Sequence, residues 1–254
     1  MGNIKCWASI IGNCDNFQSK EHIVSRGILE DNLSLDNLTM VYDVGGEGTR
    51  KIGVSSLSSK MLCSRHNNQL SDLDAEAIKA FRGIREISEM AYGIKPVPTQ
   101  KTSTLEIDGL LLERWFLKTT TNILYCPPHN LKNPPKELIE IAFGLRKNPP
   151  NVGLCMVAHG GGQFLNTDFD IKFAPLFSGN DGYEIVVFEF AGWKFAIPLT
   201  DSPIPPSIAL NTKTEYEPFN KFLRDVSISN FVYHLKGMHF KAGNSYTANV
   251  RFNW

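Results

Sequence analysis

The chain reads as an α+β protein in two parts. A small N-terminal strand–strand–helix module covers residues 1–95, and a strand-rich α+β domain covers residues 96–254. Three observations predict this. Between Arg65 and Tyr92 the residues Leu70, Leu73, Ala77, Ile78, Phe81, Ile84, Ile87 and Met90 recur at three- and four-residue steps, the spacing of a helix with one buried face. Gly93 and the Pro96/Pro98 pair then stop that helix and mark a boundary near residues 93–102. Beyond residue 150, short apolar runs alternate with glycine and polar clusters, as strands and their turns do. A length of 254 residues suits one large or two modest domains.

The elements follow in order. Residues 1–18 carry little helical periodicity and read as a loop or metal knuckle. Residues 19–25 form a first short strand, and residues 26–48 are irregular with a strand at Leu38–Val44. Gly45-Gly46-Glu47-Gly48 is a turn, and Lys51–Leu57 is the expected second strand. The long helix follows. Thr104–Ile107 with Asp108-Gly109 gives a strand and turn. Leu110–Tyr125 reads as an amphipathic helix around Leu112, Trp115, Phe116, Thr119 and Ile123. Pro134-Pro135 starts a short helix over Lys136–Leu145. Leu154–Ala158, Phe169–Phe173, Tyr183–Phe190 and Trp193–Pro198 are strands, the last two joined by a hairpin at Ala191-Gly192. Phe222–Asp225 reads as helical, and Phe231–Leu235 and Thr247–Phe252 close the chain.

Composition bounds the function classes. Apolar residues make up 42% and charged residues 20%, ordinary for a folded globular protein, so an intrinsically disordered chain is excluded. No apolar run approaches bilayer length and the start lacks a signal-peptide core, so no membrane association and a cytoplasmic location are the expectation. Met1-Gly2-Asn3-Ile4-Lys5-Cys6 is not a myristoylation start, because Cys6 stands where serine or threonine is wanted. The 26 basic and 26 acidic residues cancel. Free-standing nucleic-acid binders are more often basic, so any such grip would be local or supplied by a partner. Five cysteines without a secretory signal argue against a disulfide framework. Cys126 and Cys155 lie in apolar surroundings and read as buried thiols.

The chemistry-bearing residues gather in the first third. Cys6 and Cys14 precede Ser19-Lys20-Glu21-His22-Ile23. Forty residues on comes Cys63-Ser64-Arg65-His66-Asn67-Asn68. In this order the words resemble the HNH (ββα-metal) nuclease family, in the branch where cysteine pairs staple the finger with zinc. That branch reads Cys…Cys, then Glu/Asp-His-Ile, then Cys-x-x-Cys-Asn. Here the first pair is spaced by seven residues, and His66 replaces the last cysteine. The resemblance implies an N-terminal ββα-metal module that hydrolyses phosphodiester bonds of nucleic acid, DNA before RNA. It implies that His22 is the general base for water, and that Glu21 and Asn67 hold a catalytic Mg²⁺ or Mn²⁺. Cys6, Cys14, Cys63 and His66 form the soft and borderline donor set of a closed structural Zn²⁺ site. The compact form resembles effector subunits of bacterial antiviral or restriction systems, with a partner ATPase or sensor subunit as a further expected contact. The other reading is a zinc-stabilised nucleic-acid or protein-binding module that does not cleave.

Several positions carry alternatives. Asn68 can cap the helix in place of a role for Asn67, and Asp72 and Asp74 are further ion-ligand candidates. The family's middle residue, which orients the base, has no clear occupant; the serines of 55–60 and Asn37 are considered. His159-Gly160-Gly161-Gly162 lacks the Gly-x-Ser-x-Gly elbow that an esterase needs, and reads as a turn. Gly45–Arg50 lacks the Lys-Ser/Thr of a P-loop. Phe231, Tyr233, His234, His239 and Phe240 can stack on bases, but strand aromatics more often fill a core.

Overall fold

The computed structural model describes residues 6–33, 54–99, 102–125, 134–148, 153–157, 171–178, 182–199, 231–233, 237–242 and 246–254. It is a mixed helix-and-strand chain divided into two compact units. The first unit comprises residues 1–82 and 110–147, and the second residues 83–109 and 148–254. Both are discontinuous in sequence, whereas a division at 95/96 was expected. A helix does end just before the expected boundary, at Ala91, but the chain then returns a second helix to the N-terminal unit. Packing of apolar faces, not the position of helix breakers, groups the residues.

In the first unit a 3-10 helix, Trp7–Ile11, leads to strand β1, Gln18–His22. Helix α1, Arg26–Leu33, follows where an irregular stretch was expected. Its apolar signal is short: Ile28 and Leu29 alone among its described side chains are buried apolar positions. Gly27 brings α1 close to the helix that carries Ile78, since a Cβ there would lie 2.6 Å from Ile78 Cδ1. The second strand, β2, is Ser58–Cys63, and the Val54–Leu57 part of the expected strand is a 3-10 helix instead. Serines at 55 and 56 interrupt the apolar alternation there. β1 and β2 pair antiparallel with an irregularity between Ser19 and Lys20. The extra residue in β2 lets Met61 and Leu62 both turn inward, ahead of the buried Cys63.

The long helix is two pieces, α2 (Ser64–Gln69) and α3 (Ser71–Ala91), separated at Leu70. α3 ends as its sequence foretells. Gly93 takes φ +70, and the amide of Ile94 donates to the Glu89 carbonyl at 2.8 Å, a left-handed glycine stop. Helix α4, Gly109–Tyr125, belongs to the first unit from Leu110 onward. It is buried nearly all round, including Glu113, Lys118, Thr119, Thr120, Thr121 and Asn122, so the amphipathic reading is corrected. Helix α5, Lys136–Ala142, stops earlier than expected because Gly144 (φ +69) turns the chain.

The second unit holds two sheets. Strand β3 is Thr102–Asp108, and Gly109 starts α4 directly after it. β3 pairs in parallel with β10 (Tyr246–Asn253), which pairs antiparallel with β9 (Gly237–Ala242), a strand that sequence reading missed. The other sheet has the order β5-β6-β7-β4-β8, all antiparallel. Its strands are β4 (Cys155–Val157), β5 (Lys172–Ser178), β6 (Gly182–Phe190), β7 (Trp193–Pro198) and β8 (Phe231–Tyr233). The Ala191-Gly192 hairpin forms as expected, with φ +49 and +83, the paired left-handed turn that matches strand twist. The expected features at Leu38–Val44, Gly45–Arg50, 159–162 and Phe222–Asp225 lie outside the described residues. No helix among the described residues is long and apolar enough to cross a membrane.

Candidate metal centre and the adjoining carboxylate cluster

Cys6, Cys14, Cys63 and His66 converge, their ligand atoms all within 4.8 Å of one another. The seven-residue insert between the first two cysteines is a folded return. After Cys6 comes one turn of 3-10 helix, with the Ser9 amide bonded to the Cys6 carbonyl at 3.0 Å. Gly12 (φ +82) and Asn13 (φ +58) then bend the chain left-handedly and bring Cys14 back beside Cys6. Cys63 ends β2 and caps α2, its sulfur accepting from the His66 amide at 3.5 Å. The step from Cys63 to His66 is one helical turn and places both side chains together.

The His66 Nδ1 lies 3.3 Å from the sulfurs of Cys6 and Cys63 and 3.6 Å from that of Cys14. A tetrahedral zinc with ordinary Zn–S and Zn–N bonds separates sulfur from nitrogen by about 3.6 Å. The residues therefore fit a zinc-type ion in both donor chemistry and spacing. The Cys6 and Cys14 thiols are also poorly placed to ionise alone. Burial pushes the Cys6 thiol up to about 12, against the pull of backbone hydrogen bonds at Cys63 and Ala8, and burial raises Cys14 as well. Burial lowers the pKa of His66, which favours the neutral imidazole that a metal ligand requires. A cation is the partner that stabilises three clustered sulfurs. Phe143 packs edge-on against both His66 and Trp7, closing one side of the centre.

The residues assigned to a catalytic ion also meet, in different company. Glu21 points inward from β1 and is buried. Its Oε1 lies 2.6 Å from Nζ of Lys118 on α4. The same ammonium lies 2.7 Å from both oxygens of Asp74 on α3. Ser25 donates to Asp74 Oδ1 at 2.5 Å, and Trp115 Nε1 donates to Ser25 Oγ at 2.7 Å. Asn67 Nδ2 donates to Ser19 Oγ at 2.8 Å, and its side chain also bonds Glu21. Burial raises the Glu21 carboxyl, with Lys118 drawing it back. Two carboxylates and an amide suit a hard divalent ion, yet a lysine ammonium stands between the carboxylates. Among the described residues, the three-cysteine, one-histidine set is the one group of three or more such ligands.

His22 is the last residue of β1 and is half-buried. Burial, then Arg26 with Lys20 and Lys118, lowers its pKa, while Glu30 opposes. Its backbone carbonyl accepts from Asn122 Nδ2 at 3.2 Å. Ser58 faces it across the sheet, but the Ser58 hydroxyl donates to the Ser55 carbonyl at 2.7 Å and does not orient the imidazole. Asn68 and Asp72 are exposed, and Cys63, not Asn68, caps α2. Asn37 lies outside the described residues, as do the side chains of Phe231, Tyr233, His239 and Phe240. Sequence reading missed Lys118, Asn122 and Ser25. A lysine and an asparagine spaced at helical steps with the apolar Leu112, Trp115 and Phe116 were the signal that could have found two of them. No protein-family model, curated protein or solved structure matches this chain.

Proposed function

We propose that the protein is a metal-dependent HNH-type endonuclease that hydrolyses phosphodiester bonds of nucleic acid, DNA in the first place. The observation that carries the reading is the antiparallel β1–β2 pair running into α2, with Glu21-His22 at the end of β1 and the cysteine–histidine set joining the approach to β1 to the β2–α2 junction. Zinc would be held by Cys6, Cys14, Cys63 and His66 as a structural ion. His22, whose pKa burial and neighbouring cations lower, is the base: its imidazole takes the proton of a water whose oxygen attacks phosphorus, and the 3′ oxygen leaves. A Mg²⁺ or Mn²⁺ held by Glu21 and Asn67 would supply charge neutralisation at the phosphate. The strand-rich second unit is assigned to target recognition or partner docking. An effector role in bacterial antiviral or restriction systems, with a partner ATPase or sensor, rests on analogy of form.

A second reading is favoured by one observation. Glu21 is buried against Lys118 rather than open to an ion, which suits a zinc-stabilised binding module that does not cut. Nicking of supercoiled plasmid in Mg²⁺ or Mn²⁺ separates the two. The endonuclease reading expects nicking that EDTA stops. It also expects His22→Ala to fold and keep its zinc, yet to cut on the order of a hundred- to ten-thousand-fold more slowly. If His22→Ala cuts as fast as the parent chain, the assignment of the base is wrong.

A further inference from the structure

Helix α4 lies forty residues beyond the ββα words, yet its inner face grips them. Trp115, Lys118 and Asn122 fall on one helix face at steps of three and four. Trp115 binds Ser25, Lys118 binds Glu21 and Asp74, and Asn122 binds the carbonyl of His22 while accepting from Trp7 Nε1 at 3.0 Å. The middle contact is the unusual one. The Lys118 side chain is 1% exposed, and all three ammonium hydrogens are spent on carboxylate oxygens. A lone buried ammonium would be strongly disfavoured, so the carboxylates hold the lysine there as much as it holds them. Two carboxylates against one ammonium leave the cluster with one net negative charge.

We infer that Lys118 is a positioning residue, the built-in counter-ion of the Glu21/Asp74 pair, and that it sets how tightly this pair takes an external divalent ion. The inference rests on the reading of Glu21 as an ion ligand. An ion that engages both carboxylates meets the ammonium in its place, and must share or displace it. The affinity of the cluster for divalent ions is thereby held down. Neutralising the lysine removes that competition and doubles the net negative charge of the cluster.

The test is Mn²⁺ binding to the full-length, zinc-loaded protein, read from the free-ion signal in electron paramagnetic resonance. Lys118→Met should bind Mn²⁺ about ten- to a thousand-fold more tightly than the parent, the range expected for removing one nearby unit charge in a partly solvated site. Adding Glu21→Gln to that variant should abolish the gain, and Lys118→Arg should keep the parent's affinity. A folded Lys118→Met protein with unchanged or weaker Mn²⁺ binding overturns the inference. If Lys118→Met does not fold, the double variant Lys118→Met/Glu21→Gln decides. Recovery of a folded, zinc-loaded protein shows that the lysine serves to balance Glu21. Failure of the double variant to recover shows that Lys118 is needed for packing, and the inference falls. None of these readouts uses cleavage. Loss of cutting in the presence of any required partner would refute the endonuclease and still leave Lys118 as assigned.

Discussion

At the scale of the residue, the four members of the cysteine–histidine set differ in how much rests on them. Cys63 is buried, ends a strand and caps a helix. Cys63→Ser is expected to lose zinc and unfold the first unit, seen as loss of cooperative melting. Cys14 is exposed, so Cys14→Ser should weaken zinc binding without unfolding the chain. His66→Cys should keep its zinc, because thiolate and imidazole are equivalent donors for this ion. Elemental analysis of each purified variant checks all three. The raised thiols add a pH dependence with a definite sign. Binding must expel the protons that Cys6 and Cys14 hold in the metal-free protein. Zinc affinity should therefore rise with pH, and an affinity that falls between pH 6 and pH 8 would contradict the assignment. These ligands were legible in the sequence because cysteine and histidine in that order have few other uses. Lys118 was not, because a lysine in a helix of mixed polarity looks like a solvated edge until its partners, 97 and 44 residues away, are brought to it.

At the scale of the element, helix ends were the most legible feature. The stop at Gly93 needs only a residue that tolerates positive φ. The same turn carries an ion-pair cluster that sequence did not reveal: Glu89 is buried, with Arg85 at 2.9 Å and Lys95 at 2.5 Å. Burial acts to raise the Glu89 carboxyl, but Lys95 and Arg85 outweigh it and the net shift is downward. A depressed carboxyl contributes stability above its unfolded-state value, and that stability is lost as pH falls through the folded value. Glu89→Gln should accordingly cost about 1–2 kcal/mol near neutral pH, and the difference should vanish in acid. Melting both proteins across pH 2.5 to 7 measures it; a constant difference would contradict the ion-pair account. On α4, Asn122→Leu should cost about 1–3 kcal/mol, since it strands the Trp7 indole and the His22 carbonyl together. The β3–β10 pairing was illegible for a plain reason. Parallel partners such as Ile107 and Phe252 are chosen by packing across the whole chain, and neither strand's own pattern names the other.

At the scale of the whole molecule, the fold class was legible and the partition into units was not. Periodicity shows that α4 is a helix, but not that residues 110–147 complete the core begun by residues 1–82. Phe81 and Trp115 meet edge to face at 5.2 Å, and Trp7 needs Asn122. A fragment of residues 1–95 should therefore stay unfolded even with zinc, whereas residues 1–147 should fold and hold it. Circular dichroism of the two fragments with zinc checks this, and a cooperatively folded 1–95 fragment would refute the partition. Every assignment in the first unit returns to one claim, that three cysteines and a histidine hold an ion. X-ray absorption at the zinc edge, on protein purified without chelators, tests that claim most directly. The expected result is about one zinc per chain, with three sulfur neighbours near 2.3 Å and one nitrogen near 2.0 Å. Metal-free protein that is fully folded, or a zinc surrounded by oxygen, would contradict it.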